Sequence, residues 1–216
     1  MEAVTNYTES GLWDFVGADT KQYTHCFHAY PAMMIPQIAR ELIQRHGVPG
    51  GRLFDPTCGT GTSLVEARIY GMDAVGTDLN PLARLLALTK TRDYDMERLR
   101  SSVACFLDGL SEDMEAACDP EAFPEPLLIG LGRMLDWFPS KSVAELLLCI
   151  QRLDSITEPA VRAFVQVALS GCFRAVSYQR NKEFKLYRIR EQDRADHYVP
   201  LFPLLQKRLD RNLLGA

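Results

Sequence analysis

The chain has 216 residues, 47% of them hydrophobic and 24% charged, with a formal net charge of −4. That length suits one good-sized α/β domain, or one domain with an appendage, and needs no disulfide framework to fold. No apolar run reaches the roughly 18–20 residues of a membrane span, and the acidic balance argues weakly against a stand-alone nucleic-acid binder.

The first residues, Met1-Glu-Ala-Val-Thr-Asn, are polar and acidic, unlike a secretory signal. The six cysteines are scattered with no CxxC pair, so reduced thiols in a cytoplasmic protein are expected; with four dispersed histidines, no metal site is. Charge is uneven along the chain. Residues 101–132 hold seven carboxylates and no Lys or Arg, whereas residues 174–190 hold six basic side chains against Glu183. Such a basic strip suits phosphates or an acidic partner, and equally an ordinary solvated surface.

In chain order, residues 1–30 are polar and aromatic without a helical period, and read as an ordered arm because exposed aromatics are costly in water. Residues 36–46 carry apolar side chains at i, i+3, i+4 spacing, an amphipathic helix stopped by Gly47, Pro49, Gly50 and Gly51. Arg52–Asp55 reads as a short strand. Ser63 with Glu66 reads as a capping box opening the next helix, which Gly71 ends. Asp73–Thr77 reads as a second strand, and Asn80 caps a helix with Pro81 in its first position.

From residue 95 onward no segment reads as a strand. Residues 96–117, 125–136, 142–153, 158–177 and 200–213 are all expected to be helical, with Ser142 and Glu145 as a second capping box and Val161–Val176 as a buried helix. Two parallel strands joined by one crossover do not make a stable sheet. The expected fold is therefore α/β with a partial Rossmann-like sheet over residues 1–92 and a large helical part over 93–216, in which Arg52–Asp55 pairs with strands brought from elsewhere.

The densest motif is Asp55-Pro-Thr-Cys-Gly-Thr-Gly-Thr-Ser, a strand, glycine turn and helix, followed by Gly76-Thr-Asp-Leu-Asn-Pro. It lacks the third glycine of the dinucleotide fingerprint and the Lys of a phosphate loop. An acid before the turn and another after the second strand suit S-adenosylmethionine, with its charged methionine end and ribose diol. Together with Thr24-His-Cys-Phe-His-Ala-Tyr-Pro, these blocks over residues 23–90 resemble the DNA amino-methyltransferases, which methylate N6 of adenine or N4 of cytosine.

The resemblance implies a class I methyltransferase fold with S-adenosylmethionine as cofactor. It gives Asp55, Pro56, Cys58, Gly59 and Gly61 to the methionine part, Asp78 to the ribose hydroxyls, Leu79 and Asn80 to the adenine, and Thr62 to the cofactor site without a specified part. Thr24, His25, His28, Tyr30 and Pro31 belong to a block that in this family folds over the cofactor's carboxylate end. The family's catalytic motif, an Asp, Asn or Ser before Pro-Pro and an aromatic residue, is missing, because all twelve prolines here are isolated. No catalytic residue is therefore assigned. The expectation is a split or truncated enzyme whose motif lies on a second polypeptide or a further C-terminal half, with that second polypeptide or self-association as the protein partner and DNA as the partner of the assembled form. Arg180, Lys182, Lys185 and Arg188 are the candidate DNA contacts. Alternatives are an RNA or small-molecule methyltransferase, or a non-catalytic cofactor-binding subunit.

Overall fold

A computed structural model describes residues 13–116, 136–180 and 186–216 of the chain. They belong to two compact units, residues 1–92 with Gly215, and residues 93–214 with Ala216.

In the first unit, helix α1 (Pro36–His46) begins with proline at its start and buries Ala39 and Ile43. Strand β1 (Arg52–Asp55) leads through the glycine turn to α2 (Thr62–Ile69), and strand β2 (Asp73–Gly76) leads to α3 (Pro81–Lys90). The strands pair in parallel with Arg52 opposite Asp73 and Asp55 opposite Gly76, a two-stranded sheet among the described residues. Strand alternation puts Leu53 and Ala74 on one face, packed against Cys58, Leu64 and Ala87. The other face presents the register pair Phe54 and Val75, 63% and 46% exposed. Asn80 caps α3 by accepting from the Leu82 amide at 2.9 Å. The second strand ends one residue earlier than expected, although the Thr77 amide still donates to the Asp55 carbonyl at 3.0 Å. Within the aromatic arm, the Trp13 ring lies under the Arg45 guanidinium at 5.1 Å.

The second unit is helical: α4 (Met96–Ala116), α5 (Ser140–Asp154), α6 (Pro159–Ser170), the single-turn α7 (Phe173–Val176) and α8 (Leu201–Gly215). The helix expected at 125–136 lies almost wholly outside the described residues. The helix expected over 158–177 is instead broken, with α6 ending at Ser170. At the break a Cβ on Gly171 would meet the Arg208 guanidinium at 2.7 Å, so the glycine makes room for that side chain. Helix α6 buries Val161, Phe164, Val165, Val167, Ala168 and Leu169, and α8 buries the i, i+4, i+8 stripe Leu201, Leu205 and Leu209. Past residue 95 the described residues contain no named strand, only an antiparallel bridge between Gln179 and Arg188.

Both expected capping boxes are replaced by tertiary contacts. Helix α2 is preceded by left-handed Gly61 with no side-chain cap; the Ser63 hydroxyl donates to the Asp55 carboxylate and Glu66 faces His25 and Arg40. Helix α5 starts two residues ahead of Ser142 with Pro139 at its N-cap. Buried Glu145 accepts from the Tyr198 hydroxyl at 2.7 Å and from the Leu201 amide at 3.2 Å, capping α8 rather than its own helix. A buried carboxylate gains more from charged or otherwise orphaned donors than from one exposed amide at a helix start. Among the described residues no helix is long and apolar enough to cross a membrane.

Candidate cofactor site

Two residues of the β1–α2 turn, Gly59 at φ +51° and Gly61 at φ +79°, sit in the left-handed region where side chains are strained. The Gly61 amide donates back to the Cys58 carbonyl at 2.8 Å, and the Cys58 amide donates to the Thr77 carbonyl at 2.9 Å, tying the turn to the end of β2. A cavity of about 160 Å³ opens over this turn, lined by Asp55, Thr57 to Thr60, Thr62 and Ser63 on one side and by Tyr30, Ala32, Met33 and Met34 on the other.

The two acids brace the turn from either end. Asp55 accepts from the Thr57 amide at 3.0 Å and from the Ser63 hydroxyl. Asp78 accepts from the Gly59 amide at 2.9 Å and from the Asn80 amide at 2.8 Å, which leaves lone pairs for further donors. Asn80 also donates from its side-chain amide to the Tyr30 hydroxyl at 2.7 Å. Cys58 is buried between the acids; burial first, then the carboxylates of Asp55 and Asp78, push its thiol pKa up, so it stays protonated and is no nucleophile.

Of the sequence-predicted residues, the structure brings Tyr30, Asp55, Cys58, Gly59 and Thr62 to the cavity wall. Gly61 lies under the turn, where a Cβ would meet the Ala87 Cβ at 2.9 Å; its part is to let α2 and α3 approach. Asp78, Leu79 and Asn80 lie beyond the wall, with the Leu79 side chain wholly exposed beside Asp78. Pro31 and Pro56 are exposed off the wall, His28 is half-buried off it, and Thr24 and His25 are buried away from it. Sequence reasoning passed over Ala32, Met33 and Met34; Thr57, Thr60 and Ser63 lie within the Asp55–Ser63 motif without an individual role given there. The signal for the methionines was present as consecutive thioethers one residue after the Tyr30-Pro31 pair, and in the structure they are 40% and 48% exposed.

Of the proposed DNA contacts, Lys182 and Lys185 lie outside the described residues. Arg180 and Arg188 lie on two short segments paired through Arg180 N–H to the Tyr187 carbonyl (2.8 Å) and Ile189 N–H to the Tyr178 carbonyl (2.7 Å). Arg188 stacks over Trp137 at 5.1 Å and donates to the Asp136 carbonyl at 3.3 Å.

Residues 21–105 match the RMKL-like methyltransferase domain. Over 204 residues the chain is 33% identical to the Type II methyltransferase M.MvaI of Kocuria varians, a match spanning 93% of the chain. These matches support a DNA methyltransferase family for the chain. It is also 30% identical over 104 residues, 48% of its length, to the Type II methyltransferase M.MjaII of Methanocaldococcus jannaschii. A third relative, the tRNA (guanine(10)-N2)-dimethyltransferase of Methanothermobacter thermautotrophicus, is 44% identical over 52 residues, 24% of this chain and 16% of that one. The chain covers 45% of the Kocuria protein and 20% of the Methanocaldococcus protein. No solved structure matches it.

Likeness to methyltransferases implies S-adenosylmethionine as methyl donor, and the residues present fit it. The cavity joins the first turn of α2, whose free amides and positive dipole end favour a carboxylate, to the Asp55 carboxylate, which favours an ammonium. Met33 and Met34 give an apolar wall. The exposed Leu79 next to Asp78 suits a nucleoside whose diol donates to the acid while its base covers the leucine.

Proposed function

We propose that this chain is the cofactor-holding part of an S-adenosylmethionine-dependent DNA methyltransferase acting on an exocyclic amine, N6 of adenine or N4 of cytosine. The observation that carries the reading is the glycine turn braced at both ends by Asp55 and Asp78 beneath a cavity walled by Tyr30, Ala32, Met33 and Met34. When bound, the cofactor supplies a methyl group activated by a sulfonium. This chain's residues fix it in place: the α2 turn and Asp55 hold the methionine end, Asp78 the ribose, and the Tyr30–Asn80 bond steadies the wall between them. Positioning of this kind provides much of the acceleration in a direct transfer.

The target amine needs acceptors and a stacking aromatic after the base leaves the duplex. No Pro-Pro-aromatic motif occurs in this sequence. We assign that motif to further chain, either a continuation of this polypeptide or a separate one, which also adds strands beside β1 and β2. The exposed register pair Phe54 and Val75 favours such a completion, since apolar sheet faces left in water are costly. The paired segments around Arg180 and Arg188 are proposed as a contact to the DNA backbone. One relative favours a second reading, RNA as substrate, because its name specifies an exocyclic guanine amine in tRNA.

The test is methyl transfer from labelled S-adenosylmethionine to duplex DNA and to tRNA, with this chain alone and with a polypeptide carrying the Pro-Pro-aromatic segment. Label in DNA only after mixing is the expected result. Label in tRNA alone supports the second reading, and no label in either overturns both.

A further inference from the structure

Glu66 is buried on α2, its side chain 1% exposed, four residues past the turn that lines the cavity. Its Oε1 accepts from His25 Nε2 at 2.8 Å and from Arg40 Nη2 at 3.1 Å, and its Oε2 accepts from Arg40 Nε at 2.8 Å. His25 belongs to a single 3₁₀ turn (Tyr23–Cys26) and Arg40 to α1. The chain between them, residues 27–35, contains Tyr30, Ala32, Met33 and Met34, the wall opposite the glycine turn. Both ends of this wall segment are therefore pinned to one carboxylate. In its middle Ala32 holds φ +56°, a left-handed conformation that is strained for an alanine and persists only where the surroundings enforce it.

Burial would raise the Glu66 carboxyl pKa; the hydrogen bonds and charges of His25 and Arg40 outweigh it and hold the group below its ordinary range, so it is ionised at neutral pH. Lys90 of α3 adds a favourable charge toward Glu66 and faces Cys26 as well, and Tyr23 faces Arg40.

We propose that Glu66 is a positioning residue for the methyl donor, a latch that clamps residues 27–35 against α2 so that the cavity wall is preformed before the cofactor arrives. This rests on the reading of the cavity as a cofactor site. Losing a charge-assisted hydrogen bond loosens the wall and lowers affinity without altering any group on the cavity surface.

The experiment combines hydrogen exchange with calorimetric titration of S-adenosylmethionine into the full chain, for wild type, Glu66→Gln, His25→Leu and His25→Gln. Faster exchange in residues 27–35 of Glu66→Gln and His25→Leu, with α3 protection unchanged and Kd raised about tenfold, is expected. His25→Gln keeps a donor for the carboxylate and restores affinity to within about threefold of wild type, a rescue that loss of packing does not produce. Unchanged exchange in residues 27–35, or equal losses in both His25 variants, overturns the latch. Absence of heat from wild type overturns the cofactor reading instead, and exchange then decides the latch by itself.

Discussion

Gly76, at the last position of β2, is fixed by space rather than by backbone angle. A Cβ there would lie 2.7 Å from the Cys58 Cβ and 2.8 Å from both the Cys58 sulfur and the Leu64 Cδ1, atoms of the small cluster under the cofactor turn. Gly76→Ala is expected to cost about 1–3 kcal/mol in urea unfolding, the range for an overpacked core. Lys90 is the converse case, a charge kept where charge is disfavoured. Burial lowers its pKa from 10.5 to about 8, against the raising influence of Cys26 and Glu66. The unfolded chain keeps this proton to higher pH than the folded one, so stability rises as pH climbs from about 8 towards 10.5. Lys90→Met should therefore stabilise the protein at pH 7, by at most roughly 3 kcal/mol, with the gain shrinking across that window in thermal melts. What was legible at this scale was what local chain geometry sets. Asp55 and Asp78 bind amides a few residues away or across the adjacent strand, and their spacing is written in the motif. Glu66 was misread because its partners lie 41 and 26 positions away, and a capping box is the reading available without them.

At the level of elements, the short strands, α1 and α3 were legible from punctuation: Pro36 and Pro81 at helix starts, Gly47 at an end, and Asn80 as a cap. The break between α6 and α7 was not, because apolar side chains run straight through it and the cause is Arg208, far along the chain. The pairing of residues 178–180 with 187–189 escaped as well, since one isolated bridge leaves no alternating pattern to read. That pairing joins two described segments of the basic stretch, in which Arg188 lies over Trp137 at 5.1 Å and Arg194 over Tyr178 at 5.5 Å. In an assembled enzyme on duplex DNA, the triple charge reversal Arg180→Glu, Lys182→Glu, Lys185→Glu is expected to weaken binding and to flatten the salt dependence by about 0.9 in log–log slope per lost phosphate contact. An unchanged slope would mean that the stretch is surface only.

For the whole molecule, the first unit holds the glycine turn, its two bracing acids and the cavity over them but only two strands among its described residues, and the second unit adds helices. The long relatives extend well beyond the matched region, the chain covering 45% of the Kocuria methyltransferase. We therefore propose that this chain binds the cofactor and that further chain positions the target. The most direct measurement is calorimetric titration of S-adenosylmethionine into the chain by itself and into Asp78→Ala. Saturable heat at one site per chain, with affinity at least about tenfold weaker in Asp78→Ala, is the expected result. No heat in wild type, or equal affinity in the two proteins, would contradict the assignment of the β1–α2 turn and Asp78 as the cofactor site.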